Sequence, residues 1–371
     1  MKFSVSSSAL LKQLQKASGA IGSNPVLPVL EDFLFVLNSN ILTISASDLE
    51  ISIIIRMEVH GEENGSVAIP AKILTDTLKA MPEQPVTIQV DDENYATEIT
   101  SSFGKYRMAG DNPDDFPQVP VKEDNDSVQI ESGLVVKAIN HSLFATSNDE
   151  LRPAMMGVYV QVDFNKITFV ATDAHKLVKY TQFKLKSNVS ASFIVPKKAF
   201  SLLKSILPEQ TEIDLSFNRT NAFFNFDQTF MACRLVDAKY PDYNAVIPTT
   251  NENLLTVGRT DLLNSLRRIV IYSNKTTNQV ILKINDSSLN ISAQDLDFSN
   301  EATEQMPCLY QGDPIIIAFN AKFLIDMLSV INSSEVLIKL SSPAKAGLLM
   351  PSVQAENEDI TMLIMPVMLN Q

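Results

Sequence analysis

The chain has 371 residues, 45% of them apolar and 20% charged, which is typical of a globular protein with two or three hydrophobic cores. Its net charge of −13 excludes a protein that holds nucleic acid through a strongly basic overall surface. Two cysteines and three scattered histidines are too few for a zinc finger or a disulfide framework, and no glycine-rich phosphate loop occurs.

The first third of the sequence predicts a helix, several strands and a second helix. The opening segment lacks a sustained apolar stretch, so we expect a cytoplasmic protein that does not span a membrane. Leu10, Leu11 and Leu14 share one face of the first predicted helix, Ser8–Ser18. Segments rich in β-branched residues predict three strands: Phe33–Leu37, Ile41–Ala46 and Ile51–Val59. The second helix is predicted at Ala71–Met81, directly after Pro70. Proline is compatible with this position, because the opening turn of a helix tolerates it.

The same order of elements returns twice along the chain. The later helices are predicted at Gly133–Ala145, Lys197–Leu207, Thr260–Ser273 and Ala321–Ile331. Strand-like segments again separate the helices of each pair. Each third therefore predicts two helices and about eight short strands, which is an α+β arrangement with helices packed on antiparallel sheets.

Landmark motifs give the period of this repeat. Lys72, Lys198 and Lys322 stand at equivalent places in the second helix of each third, with spacings of 126 and 124 residues. An Asp follows one strand of each third, and the three are Asp48, Asp173 and Asp295. We therefore predict three homologous domains, 1–124, 125–250 and 251–371, joined in the polar stretches 121–126 and 248–253. An Asp at the end of a strand usually stabilises a turn, so we expect that role rather than a metal or catalytic site.

Positive charge is concentrated on the predicted helices. They carry a net charge of +8, which leaves −21 for the remainder of the chain. Lysine on the solvent side of a helix is common, and each helix alone has that simpler explanation. Five positive helices out of six in an acidic chain nevertheless favour a mildly basic helical surface.

Three motifs are similar to those of a known family. They are Thr172-Asp173-Ala174-His175-Lys176-Leu177, Tyr240-Pro241-Asp242-Tyr243 and the ending Met362–Leu369. Together with the threefold repeat, they resemble the bacterial DNA polymerase III beta subunit, the sliding clamp, over the whole chain. The resemblance implies three DNA-clamp domains and a non-enzymatic processivity factor without cofactor or metal. It further implies a head-to-tail homodimer that closes into a ring around double-stranded DNA, without sequence specificity.

The resemblance assigns the helical cations to the DNA-facing surface. That set comprises Lys12, Lys16, Lys72, Lys79, Lys137, Lys197, Lys198, Lys204, Arg267 and Arg268. A mildly basic lining attracts the phosphate backbone weakly enough to permit sliding.

The family also has a pocket for short peptide motifs of the polymerase III catalytic subunit, the clamp loader and repair polymerases. Carried over by position, its residues are Met155, Thr172, Ala174, His175, Lys176, Leu177, Pro241, Val246, Leu363, Ile364, Met365, Pro366, Val367 and Met368. Flexible methionines suit a cleft that accepts several ligands. The chain departs from the family at Ser23-Asn24-Pro25, where a basic residue is common, at Ala174, where glycine is common, and at its ending Met368–Gln371.

For the dimer, the resemblance places Tyr106 and Met108 opposite Ile271 and Tyr272 of the other copy. The remaining interface residues are predicted by charge complementarity, Lys105 and Arg107 lying near Glu301 or Glu304. Two alternatives stay open from the residues alone. One is a threefold-repeat adaptor that binds peptides without enclosing DNA, and the other is a hydrolase using His175 and Asp173.

Overall fold

The computed structural model describes residues 1–22, 26–120 and 127–368. The helices within these ranges are α1 (Ser7–Ala17), α2 (Ala71–Lys79), α3 (Ser132–Ser142), α4 (Lys197–Ile206), α5 (Arg259–Ile269) and α6 (Ala321–Val330). Among the described residues, no helix is long and apolar enough to cross a lipid bilayer.

The strands of the first third are β1 (Lys2–Ser6), β2 (Asp32–Asn38), β3 (Ile41–Ser47), β4 (Ile51–Glu58), β5 (His60–Glu63), β6 (Gly65–Pro70), β7 (Pro85–Val90), β8 (Thr97–Ser101) and β9 (Gly104–Met108). Those of the central third are β10 (Ser127–Glu131), β11 (Gly157–Asp163), β12 (Lys166–Thr172), β13 (Lys176–Gln182), β14 (Ala191–Pro196), β15 (Glu212–Phe217), β16 (Asn221–Phe226) and β17 (Thr229–Arg234). Those of the last third are β18 (Asn253–Gly258), β19 (Gln279–Asn285), β20 (Ser288–Asp295), β21 (Asn300–Pro307), β22 (Leu309–Gln311), β23 (Ile315–Asn320), β24 (Glu335–Leu340), β25 (Gly347–Pro351) and β26 (Glu358–Ile364).

The six predicted helices are confirmed, with small differences at their ends. Helices α1, α3 and α5 each pass into one 3₁₀ turn, which accounts for most of the extra length predicted at Gly133–Ala145 and Thr260–Ser273. Ser18 and Ser273 donate their hydroxyls to carbonyl oxygens three residues earlier, so the side chain satisfies an acceptor at the helix end. The predicted strand Ile51–Val59 ends at Glu58, and a further short strand follows.

The chain forms two compact units, and both are built on sheets that continue from one third of the sequence into the next. Unit 1 comprises Met1–Val136 and Lys198–Leu235, and unit 2 comprises Lys137–Lys197 and the chain from Val236 onward. The predicted α+β class with antiparallel sheets is confirmed, whereas the boundaries 124 and 250 remain a prediction from the repeat.

Unit 1 contains a five-stranded sheet, β5-β1-β7-β8-β9, and an eight-stranded sheet, β10-β15-β16-β17-β4-β3-β2-β6. In the larger sheet, β17 of the central third pairs with β4 of the first third, and Met231 lies opposite Ile53. Alternate residues of the strands in this sheet share a face, and Phe33, Phe35 and Phe224 are almost fully buried on one of the two faces.

Unit 2 repeats this plan with a nine-stranded sheet, β14-β11-β12-β13-β26-β25-β24-β18-β22, and a four-stranded sheet, β21-β20-β19-β23. Here β13 of the central third pairs with β26 of the last third, and Val178 lies opposite Met362. Each unit is therefore stabilised by a strand pair that joins two different thirds of the sequence.

Candidate functional site

An apolar cluster lies on one face of the nine-stranded sheet in unit 2. Leu177 of β13 lies directly opposite Leu363 of β26, and Leu363 lies opposite Leu348 of β25. The three leucines are almost fully buried, and they pack with Val170 and Ile194 in one cluster. This cluster forms the floor of the candidate cleft.

Three tyrosines form a wall beside this floor. The rings of Tyr159 and Tyr240 stack with their centroids 4.6 Å apart, and Tyr243 meets Tyr159 edge-on at 6.3 Å. The Tyr240 hydroxyl donates to the carbonyl of Val170 at 3.3 Å, and that of Tyr243 donates to Oε1 of Gln161. Burial raises the phenol pKa of both Tyr240 and Tyr243, so the wall stays uncharged at neutral pH.

The turn between β12 and β13 lies at the end of this floor. Oδ1 of Asp173 accepts hydrogen bonds from the backbone N–H groups of His175 and Lys176 at 2.9 and 2.8 Å. Ala174 has φ of 75°, a left-handed conformation that favours glycine. Asp48 and Asp295 accept backbone N–H bonds in the equivalent turns, which confirms the structural role predicted for the three aspartates.

The chain after β26 is held against the protein by backbone hydrogen bonds. The N–H of Met365 donates to the carbonyl of His175, and that of Val367 donates to the carbonyl of Ala318, both at 2.8 Å. Met365 and Met368 nevertheless keep exposed side chains. The segment therefore presents apolar groups to solvent from a fixed backbone.

The structure brings most of the predicted pocket residues to this face. Thr172 lies opposite Leu177, so the two side chains share the face of the cluster. Pro241 is exposed between the two tyrosines of its motif, and the exposed Val246 precedes Ile247, which packs on the cluster. Met155 is half-buried beside Ala154, which also packs there.

Lys176, Ile364 and His175 are exceptions. Strand alternation turns Lys176 and Ile364 to the opposite face of the sheet, and the ring of His175 in the turn stacks beside Phe323 of α6 with the ring centres 6.4 Å apart. Lys176 is only 7% exposed; its ammonium contacts Asp173 at 2.7 Å and lies 4.1 Å from the ring centre of Phe323 in α6. Ile364 lies opposite Gly347, on the side of Phe319. The prediction took both from contiguous motifs, and the period of two along β13 and β26 could have separated them.

Sequence reasoning also missed Val170, Tyr159, Tyr240 and Tyr243. Val170 lies two residues before Thr172 on the same strand, so alternation could have found it. The two later tyrosines stand in the motif from which only Pro241 was taken. Tyr159 had no comparable signal, since only the fold brings it beside Tyr240.

The ten predicted DNA-facing cations fall into three groups. Four of the ten form ion pairs: Lys79 with Asp76, Lys137 with Glu358, Lys198 with Asp48, and Arg268 with Glu304. Lys197 donates to the side chain of Asn148. The other five have no ion-pair partner among the described residues: Lys12, Lys16, Lys72, Lys204 and Arg267.

Two edge strands carry most of the predicted dimer residues. Strand β9 contains Lys105, Tyr106, Arg107 and Met108 at the edge of the five-stranded sheet, and β21 contains Glu301 and Glu304 at the edge of the four-stranded sheet. Ile271 and Tyr272 lie in the exposed 3₁₀ turn after α5. A groove of about 650 Å³ runs beside Tyr106, lined also by Ile73, Ala80 and Met81.

The hydrolase alternative finds no support in the turn, because the Asp173 carboxylate bonds to the backbone N–H of His175 and to Lys176 rather than to the imidazole. The predicted departure from the family at Ser23-Asn24-Pro25 lies outside the described residues, as do Leu369, Asn370 and Gln371 of the chain ending.

Comparisons with known proteins agree along the whole chain. Models of the DNA polymerase III beta subunit match residues 1–120 with its N-terminal domain, 129–242 with its central domain and 244–368 with its C-terminal domain. The beta sliding clamps of Vibrio cholerae and Synechococcus elongatus are 28% and 27% identical, over 100% of both chains in each case. The solved structure of the sliding clamp from Bacillus subtilis is 25% identical, with a TM-score of 0.95 and full coverage of both chains. The chain therefore belongs to the DNA polymerase III beta subunit family, the sliding clamps, and is a non-catalytic processivity subunit of the polymerase.

Proposed function

We propose that two copies of this chain close head to tail into a ring that encloses duplex DNA in the cytoplasm. The ring tethers the polymerase III catalytic subunit, the clamp loader and repair polymerases through the apolar cleft of unit 2. The main support for the proposal is that two edge strands, β9 and β21, each lack a neighbouring strand on one side among the described residues, whereas the equivalent strands in the other thirds pair with each other.

The strand equivalences follow from the repeat. Strands β9, β17 and β26 each come last in their third, and β4, β13 and β21 each follow the landmark strand that ends near an Asp. Within the chain, β17 pairs with β4 and β26 pairs with β13. In the described part of the chain, β9 and β21 lack this neighbour. A second copy supplies it when β9 of one protomer pairs with β21 of the other.

The internal pairs also predict the register of this contact. Tyr106 is equivalent to Met231 and Met362. Each is reached through three successive strand pairs from the residue four positions before the first helix of its third, and those residues are Phe3, Val128 and Leu255. Ala302 is equivalent to Ile53 and Val178 through its hairpin partner. Since Met231 lies opposite Ile53 and Met362 opposite Val178, we expect Tyr106 opposite Ala302 of the other protomer.

This register places Arg107 opposite Glu301. Neither has an ion-pair partner among the described residues of its own chain, whereas Lys105 contacts Glu98 at 2.7 Å and Glu304 is paired with Arg268. Opposite charges at directly facing positions stabilise a strand pair. The register thus selects one ion pair from the four charged residues predicted for the interface.

Helix ends supply a second contact by the same reasoning. In unit 1, Gly19 after α1 lies so close to Leu202 of α4 that an added Cβ would be 2.1 Å from the leucine Cδ1. Counted from the helix starts, Gly19 is equivalent to Ile271, and Leu202 to Asp76 of α2. We expect Ile271 and Tyr272 to enter the groove beside Tyr106, which Asp76 also lines.

The charges fit enclosure better than tight binding. Six of the ten predicted DNA-facing cations form no ion pair with any described residue, and the whole chain carries −13. A few weak phosphate contacts hold the duplex near the helices without stopping its movement, and the negative remainder disfavours binding elsewhere.

Retention on DNA tests the ring. Loaded by a clamp loader onto a nicked circular duplex, the protein should stay bound through a salt wash and leave after a restriction enzyme linearises the circle. Blocking both ends of the linear duplex should restore retention. An adaptor that binds DNA by its surface would be equally salt-sensitive on circular and linear duplexes, and a mass in solution near 41.0 kDa rather than twice that value would refute the dimer.

A further inference from the structure

A polar groove lies on the same sheet face as the cleft and adjoins it. Its volume is about 310 Å³, and its lining includes Gln161, Thr168, Lys179 and Thr181. Tyr243 belongs to both, since its ring packs on the cleft cluster and also lines the groove. The two therefore form one continuous surface within unit 2.

Strand register shows how the surface changes along β13. Leu177 lies in the row of Thr172 and Leu363, whereas Lys179, two residues further, lies in the row of Val170 and Thr361. The next row contains Thr168, Thr181 and Asp359. Alternate residues share a face, so an extended segment anchored over Leu177 would next meet Lys179, about 7 Å away.

Of the two lysines that line this groove, Lys179 is the one without an ion pair in the described part of the chain. Lys166 contacts Asp163 at 3.8 Å, and Oδ1 of Asp359 accepts from Gln354 at 3.4 Å. Lys179 has no carboxylate within ion-pair distance among the described residues, and it is the one residue of β13 that is not buried. A ligand carboxylate could therefore reach its ammonium without displacing an existing ion pair.

We propose that the groove extends the cleft and binds the adjoining segment of the same partner peptides, with an Asp or Glu two residues from the apolar anchor contacting Lys179. This inference rests on the proposed peptide-binding function. Asp163 and Asp359 also line the groove, so a phosphate chain would meet two carboxylates there, and a peptide with a single acidic side chain is the better fit.

A peptide library on the intact protein tests the inference. The library would consist of capped ten-residue peptides. Their two central positions, the apolar anchor, would carry every combination of Leu, Ile, Met and Phe, and all other positions would be Ser. A single Asp would be moved through the remaining positions, with Asn as the uncharged match. We expect Asp two residues from the anchor, on one side, to bind about 1.5- to 5-fold more tightly than Asn, the usual range for an exposed ion pair.

Charge reversal separates this contact from a general electrostatic effect. Lys179→Glu should remove the preference for Asp and create one for Lys at the same position, while Lys184→Glu, an exposed lysine outside the groove, should change neither. If anchored peptides bind and Asp has no effect at any position, the extension is wrong and the cleft stands. If no anchored peptide binds, the cleft itself is wrong, and the extension with it.

Discussion

The predicted contact between Arg107 and Glu301 of the partner gives the sharpest test of ring closure. Replacing Arg107 by Glu removes one attraction and creates a repulsion at each interface. An exposed pair contributes ~0.2–1 kcal/mol, so a reversal should cost about 0.5–2 kcal/mol per interface. A head-to-tail dimer has two identical interfaces, and the total of about 1–4 kcal/mol corresponds to a roughly 5- to 1,000-fold weaker dimer.

Sedimentation equilibrium at low salt measures this change directly. Arg107→Glu and Glu301→Arg should each raise the dimer dissociation constant, and the double variant should lower it again, because the pair is re-formed with its charges exchanged. The recovery should be incomplete, since the carboxylate introduced by Arg107→Glu also faces Glu98 on β8 of its own chain. The differences should shrink at high salt, where the Debye length falls to about 3 Å at 1 M.

Lys105→Glu is the matched control, since it makes the same change in net charge on the same strand. Lys105 is already paired with Glu98 in its own chain, and the register places it opposite Thr303 rather than an acidic residue. Equal effects of Lys105→Glu and Arg107→Glu, or a double variant no tighter than the singles, would refute the register.

Three further predictions concern stability. Ala174→Gly should raise the free energy of unfolding in urea by about 0.5–1 kcal/mol, because alanine is strained at φ of 75° and glycine is not; no gain would contradict the left-handed turn. Burial, followed by a hydrogen bond with a neighbouring carboxyl, raises the pKa of Asp32 to about 7, so the folded protein retains a proton that the unfolded chain releases near pH 4. The melting temperature should therefore fall between pH 5 and pH 8, and Asp32→Asn should remove most of that fall; a parallel pH profile would count against it. Asp173→Asn should cost about 1–3 kcal/mol in the same urea assay, because the buried ammonium of Lys176 loses its partner at 2.7 Å and keeps only the electrostatic attraction of Asp326, whereas Asp48→Asn, whose lysine partner is exposed, should cost about 1 kcal/mol or less.

The sequence predicted the helices well because each one carries a regular apolar face. Leu10 and Leu14 of α1 are fully buried, as their spacing requires. The ends were less predictable, since a 3₁₀ turn such as Val270–Tyr272 continues the apolar pattern while changing the backbone hydrogen bonds.

Pairing between distant strands could not be predicted in the same way. A period of two identifies a strand and its buried face, but it does not identify the strand beside it. The alternation of apolar residues along β17, for example, does not indicate that β17 pairs with β4 rather than with another strand. The ion pair of Lys137 with Glu358 could not be predicted either, because the two residues are 221 positions apart in the sequence. Counting charges helix by helix therefore overestimated how many cations have no partner.

The candidate cleft was predicted in part, because its motifs are contiguous whereas its surface is not. Leu177 and Leu363 belong to the floor, but their neighbours Lys176 and Ile364 point away from it. When a contiguous motif lies on a strand, about every second residue points to the opposite face, so taking the whole motif assigns too many residues to the site.

Equivalent positions differ in residue type among the three strand junctions, which are β17 with β4, β26 with β13, and the proposed pair of β9 with β21 of the other protomer. The position occupied by Leu177 and Leu363 in unit 2 is occupied by Ser52 and Ala232 in unit 1. Small side chains cannot build an apolar floor, so the cleft arises at one internal junction and not at the other. At the proposed junction between protomers, the same position holds Glu301 and Arg107, an ion pair that can separate into water at lower cost than an apolar pair. In the proposed ring this junction must open for DNA to enter, and an ion pair at the strand contact leaves less apolar surface exposed to water on opening than two leucines would, whereas the internal junctions have no such requirement.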